Sequence, residues 1–227
     1  MMMKKFISAC LMIFIFAIST SAEYRILAFG DSNTWDWIPN GGGTRYSDTE
    51  RWAGVLQAEL GDGYTVICDG LVARRTNLDG TTAGLIEGSF LNGAKTLPAS
   101  IARNAPIDLV ILFLGTNDLQ LGAEPIAGEV ASAVAELAQL AFGDLSSSAL
   151  KDLFTPGHSE SEKLSSAFKA MATTQLIRLI HTNMLQVDGI GPDGIHLNRH
   201  GHELLGKALS RAVLGKHKEL RKSLVLP

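Results

Sequence analysis

Cysteine is nearly missing from this 227-residue chain, which carries two, Cys10 and Cys68. Cys10 lies in an N-terminal stretch with the features of a removable leader, which leaves Cys68 alone. No internal disulfide can form, and a buried thiol is the expectation. Charge of either sign is not in excess: 20 Lys and Arg stand against 23 Asp and Glu, for a net charge of −3. That balance gives no reason to expect nucleic acid or an anionic membrane surface as a partner. There is no cysteine set, no His-Glu-x-x-His motif and no acidic cluster, so no metal is expected. His200 and His202 read as helix-surface histidines. Internal repeats and low-complexity linkers are missing too. With 46% hydrophobic residues to build a core, one domain is the expectation.

Long apolar runs are also scarce. The one at Phe6 to Ile18 follows Lys4-Lys5 and precedes Ser19-Thr20-Ser21-Ala22, the order of a signal peptide. It is shorter than the ~20 residues that span a bilayer. Cleavage after Ala22 is therefore expected rather than a retained anchor. Residues 1–22 read as leader and 23–227 as the mature domain, exported to the periplasm or the cell exterior.

Short runs at Ile26–Phe29, Tyr64–Cys68 and Leu109–Leu114 are rich in β-branched or aromatic residues, and Gly, Asp or Asn follows each. These are predicted buried strands. Between them the spacing turns helical. Trp52, Val55, Leu56 and Leu60 share a face, with Thr49 as a cap and Gly61 as a stop. Ile126–Phe142, Glu160–Ala172 and Gly201–Leu214 are the other predicted helices. Gln175–His181 reads as a strand or as a continuation of the helix before it. Alternating strands and helices predict an α/β domain with a mostly parallel sheet covered on both faces. Segments 40–47 and 144–159 fit no element and read either as lids or walls of a site or as disorder.

Ser32 follows the first predicted strand through Gly30-Asp31, which places a hydroxyl at a strand tip, where ligands of parallel sheets gather. Alone, Asp31-Ser32 reads as well as a helix cap. In Asp193-Gly194-Ile195-His196 the carboxylate can reach Nδ1 of the imidazole if the chain turns at Gly194. A surface turn is the alternative. Asn117, after the third strand, offers an amide donor, and Gly70, after the second, a backbone N–H; by default both are turn residues. Their shared placement at one sheet edge suggests acyl transfer, in which fixed donors stabilise the developing oxyanion.

Gly30-Asp31-Ser32-Asn33-Thr34, Gly70, Gly115-Thr116-Asn117-Asp118 and Asp193-Gly194-Ile195-His196-Leu197 resemble, in order, the motif blocks of the SGNH (GDSL-type) hydrolases. The resemblance spans Arg25 to Leu214. Asp31 to Trp37, Arg51-Trp52, and Gly70-Leu71 through Thr76-Asn77 look like the bacterial aryl esterase and acyltransferase branch. It implies a flavodoxin-like three-layer α/β/α sandwich and an acyl-enzyme mechanism without a cofactor. By the same resemblance Ser32 is nucleophile, His196 base and Asp193 its orienter, while Ser32 N–H, Gly70 N–H and Asn117 Nδ2 bind the oxyanion. The implied partner is a small-molecule ester, and a homo-oligomer stays open. Trp35, Asp36 and Trp37 are candidates for substrate contact. Asp36 stands where the branch has a small residue, and it either sets a charge beside the pocket or faces solvent. Asn33 replaces the leucine of the motif, a change given little weight. Between Asp118 and Asp193 the match is weak, so substrate identity does not carry over. The alternatives are an acyltransferase using the same site and a noncatalytic carbohydrate-binding protein that stacks sugars on Trp35, Trp37 and Trp52.

Overall fold

Strand β1, Tyr24–Gly30, is apolar from Ile26 to Phe29 because both of its faces are covered: none of these four side chains has exposed surface. In the computed structural model, which describes residues 23–80, 86–119, 127–142, 149–150, 177–178 and 188–224, β1 is the middle of a parallel sheet. It pairs with β2, Tyr64–Gly70, on one side and with β3, Leu109–Phe113, on the other. The register sets Gly30 opposite Gly70 and Phe113, so the three strands end level and their following turns share one rim.

Strand alternation divides the core into two layers. On one face Ile26, Ala28, Ile111 and Phe113 pack with Trp52 and Leu56 of helix α2 and with Leu205 and Leu209 of helix α5. On the other, Leu27, Phe29, Val110 and Leu112 pack with Leu97 of α3 and with Val130, Val134 and Leu137 of α4. The helices are α1, Ser32–Trp35; α2, Trp52–Leu60; α3, Gly93–Asn104; α4, Ala127–Phe142; and α5, Arg199–Leu224. Burying side chains of this size contributes roughly 1.5–3 kcal/mol each. Two-residue strands β4, Ala149–Leu150, and β5, Ile177–Arg178, form a separate parallel pair. The fold is the expected three-layer α/β/α sandwich.

Several elements depart from the sequence reading. Helix α3 lies where the sequence reading has no helix, because Gly93 at its start and Pro98 inside it break a helical pattern. Asn92 starts it, accepting the Lys95 N–H at 3.2 Å. Helix α5 begins two residues before the predicted Gly201 and continues to Leu224. The predicted helix Glu160–Ala172 lies outside the described residues. So do most of Gln175–His181 and of segment 144–159. Cys68 is half-buried and donates to the Thr34 carbonyl at 3.2 Å.

The start of α2 shows how tertiary contact replaces a local cap. Thr49 does not cap it; the N-cap is Arg51, whose side chain makes no capping bond. The Trp52 N–H goes instead to His202 Nδ1 on α5, at 3.3 Å. The two helices approach closely because Gly206 has no side chain: a Cβ there would lie 2.7 Å from the Trp52 carbonyl. His202 is therefore no surface histidine. It is fully buried, edge-on to Tyr46 at 5.0 Å between centroids. His200, by contrast, is exposed.

Burial, with a smaller push from His196, lowers the His202 pKa from 6.5 to about 3. Between those values the unfolded chain binds a proton that the folded chain does not. The stability tied to neutral His202 is thus complete above the unfolded value and is lost as pH falls towards 3. His202→Asn keeps an acceptor for the Trp52 N–H and removes the titration. Between neutral pH and about pH 4, urea unfolding of wild type is expected to lose roughly 2–3 kcal/mol more than the variant; parallel losses would show that His202 is not the titrating group.

Candidate active site

At the end of β1 the chain turns at once into α1. The buried Asp31 caps that short helix, its Oδ1 accepting the Asn33 N–H at 2.9 Å. Its carbonyl accepts the Thr34 and Trp35 N–H groups at 3.0 and 2.8 Å. Burial raises the Asp31 carboxyl to about 7 despite the Asn33 bond. The cap and the candidate nucleophile are thus compatible readings: Asp31 makes the turn, and the turn presents Ser32.

Ser32 Oγ lies 2.9 Å from His196 Nε2, and His196 Nδ1 lies 2.8 Å from Asp193 Oδ2. The other carboxylate oxygen, Asp193 Oδ1, accepts the backbone N–H groups of Ile195 and His196, each at 3.0 Å. Gly194 sits between them at φ 71°, the left-handed conformation that the turn requires. Burial pushes the Asp193 carboxyl up, but bonds from the His196 backbone, the imidazole and the Ile195 N–H outweigh it and hold the group below its usual range. The three side chains form one unbroken chain of hydrogen bonds, along which a proton can pass from hydroxyl to imidazole.

Asn33 joins the two distant segments. Its Oδ1 accepts the Leu197 N–H at 2.8 Å and its Nδ2 reaches the Ile195 carbonyl at 3.4 Å, so one carboxamide grips the backbone on both sides of His196. The motif position given little weight in the sequence is the clamp on the histidine loop. A partner 164 residues away leaves no local signal.

Asn117 lies in the 3₁₀ turn Thr116–Leu119 after β3, and its Nδ2 donates to the Arg74 carbonyl at 3.1 Å. Asp118 fixes that turn. Its carboxylate accepts the Thr76 hydroxyl at 2.7 Å and the Thr76 N–H at 3.1 Å. Burial raises its pKa against those bonds. Gly70 is a point of close approach: a Cβ would lie 2.1 Å from the Trp35 nitrogen. From Gly70 the chain turns back through Ala73, a non-glycine residue at φ 63°.

Trp37 stacks on the His196 ring, with 5.8 Å between centroids and 28° between planes, and Trp35 packs 5.9 Å from Trp37. Asp36 neither faces solvent nor lines an open pocket. It has no exposed surface and lies between the tryptophans at φ 78°, its carboxylate bound to Arg51 at 3.2 Å and Arg45 at 3.4 Å. Burial outweighs the two arginines and raises its pKa to about 7. Arg45 also lies 5.0 Å over the Trp35 ring. Trp52 belongs to the core, edge-on to Phe113, and offers no surface for stacking a sugar.

The aryl esterase of M. smegmatis is 29% identical over 85% of this chain and 99% of its own, with a TM-score of 0.72. A carbohydrate acetylesterase from Sinorhizobium meliloti is 30% identical over the same shares, with a TM-score of 0.71. A lipase/acylhydrolase from Enterococcus faecalis, 16% identical over 85% of this chain and 96% of its own, shares the fold with a TM-score of 0.66. No curated protein matches the chain. The model of the GDSL-like lipases and acylhydrolases matches residues 28–204, and the chain belongs to that SGNH hydrolase family.

Proposed function

We propose that the chain is an exported serine esterase that hydrolyses short-chain acyl esters, acetyl esters among them, through an acyl-Ser32 intermediate. The observation that carries this reading is the continuous contact from Ser32 Oγ through His196 to Asp193, at 2.9 and 2.8 Å. The likeness to an aryl esterase and a carbohydrate acetylesterase supports the substrate class. The basic, apolar and small-residue order of residues 1–22 supports export.

His196 takes the Ser32 proton on Nε2 as the oxygen bonds to the acyl carbon, and Asp193 stabilises the imidazolium. The carbonyl oxygen becomes an oxyanion received by Ser32 N–H, Gly70 N–H and Asn117 Nδ2. The imidazolium then returns its proton to the departing alcohol as the ester C–O bond breaks. Water, activated by the same imidazole, releases the acid and restores Ser32. Trp37, flat against the imidazole, limits its rotation.

Turnover of p-nitrophenyl acetate tests this. Ser32→Ala is expected to lower kcat by several orders of magnitude and to abolish labelling by a fluorophosphonate, whereas Asn117→Ala costs about 10²–10³ and leaves Ser32 reactive. Unchanged turnover in Ser32→Ala would refute the reading. Acid is expected to lower kcat/KM, because the imidazole must be neutral to accept the Ser32 proton while Asp193 stays ionised. A rate that stays flat down to about pH 4 would exclude His196 as the base.

A further inference from the structure

The proposed oxyanion donors come from three separate stretches of chain, and one buried residue touches all three. Arg74 is 4% exposed, with its guanidinium 4.0 Å over the Phe29 ring. Its Nη1 donates to the Gly30 carbonyl at 2.9 Å and to the Asp69 carbonyl at 2.6 Å. Its Nη2 donates to the Asp69 carboxylate at 2.9 Å. Its own carbonyl accepts Asn117 Nδ2 at 3.1 Å. Gly30 begins the turn that presents Ser32, Asp69 leads into the turn from Gly70 to Ala73, and Asn117 follows β3.

We propose that Arg74 is the positioning residue of the oxyanion hole, setting the spacing of the Ser32, Gly70–Ala73 and Asn117 segments through bonds to all three. The role rests on the esterase reading of this site. Two carbonyls and a carboxylate converging on one point call for the planar fork of an arginine; a lysine ammonium supplies a point charge without that geometry. Asp69 fixes the fork in turn. Its second oxygen accepts the Ser100 hydroxyl and Arg103 Nη2, the latter at 3.0 Å, which ties the arrangement to α3. A buried ion pair adds little stability over apolar packing of the same volume. Positioning of donors accounts for the presence of this one.

Kinetics of Arg74→Met, Arg74→Lys, Asn117→Ala and the double variant Arg74→Met/Asn117→Ala on p-nitrophenyl acetate test the role. Arg74→Met is expected to lower kcat by about 10²-fold while KM changes little, since displaced donors affect the transition state more than substrate binding. Arg74→Lys recovers part of the loss. In the Arg74→Met background Asn117→Ala is expected to cost less than about tenfold, because the amide is already out of place. An equal Asn117→Ala penalty in both backgrounds, or wild-type turnover by Arg74→Met, overturns the role of Arg74 and leaves the esterase reading intact. No Asn117→Ala penalty in the wild-type background would instead overturn the oxyanion assignment on which the role stands. If Arg74→Met does not fold, Asp69→Asn, which keeps the arginine and removes the charge that fixes its fork, completes the same cycle with Asn117→Ala.

Discussion

The parallel register that brings Gly30, Gly70 and Phe113 level is the constraint on which the site depends. A slip of one residue would turn every side chain of β1 to the opposite face and displace the Ser32 turn from the turns after β2 and β3. Glycine is required where these turns meet. A Cβ on Gly30 would come within 2.6 Å of the Phe113 carbonyl, and one on Gly70 within 2.1 Å of the Trp35 nitrogen. The turn after β1 therefore rests directly on the ends of both neighbours.

Around that rim the protein buries polar and charged groups. Asp31, Asp36 and Arg74 are almost wholly withdrawn from water, which is costly for a charge unless bonds replace the lost hydration. Each burial is offset by contacts that also fix geometry: Asp31 builds the turn that presents Ser32, Arg74 spans two strand ends, and Asp36 holds the tryptophan pair through Arg45 and Arg51. The raised pKa values of Asp31 and Asp36 show that compensation is incomplete. Preorganised dipoles in a site shielded from water are the arrangement that stabilises charge formed during reaction, and here the same groups fix the backbone.

Much of this was legible in sequence because it is local. Strands β1, β2 and β3 announce themselves as short apolar runs closed by turn residues, and Ser32, Asn117, Asp193 and His196 stand at the ends of such runs or in a glycine turn. Misreadings arose where a residue's environment comes from elsewhere in the chain. His202 has the spacing of a surface helix position until α2 is laid against it. Asp36 looks like a solvated loop charge until Arg45 and Arg51 close over it. Pro98 hid α3, although its start is capped by Asn92.

The sequence by itself determined the alternation of strands and helices, the rim at which the polar residues emerge, and the family to which the chain belongs. The first two follow from side-chain periodicity and backbone preference, which act over a few residues, and the third from the resemblance of the motif blocks to those of the family. Only the tertiary structure decided that Asn33 clamps the histidine loop, that His202 serves α2 as a cap and that Arg74 links three turns. Most of those bonds join groups far apart in the chain, and their energy exists only once packing has removed the water that would otherwise satisfy them.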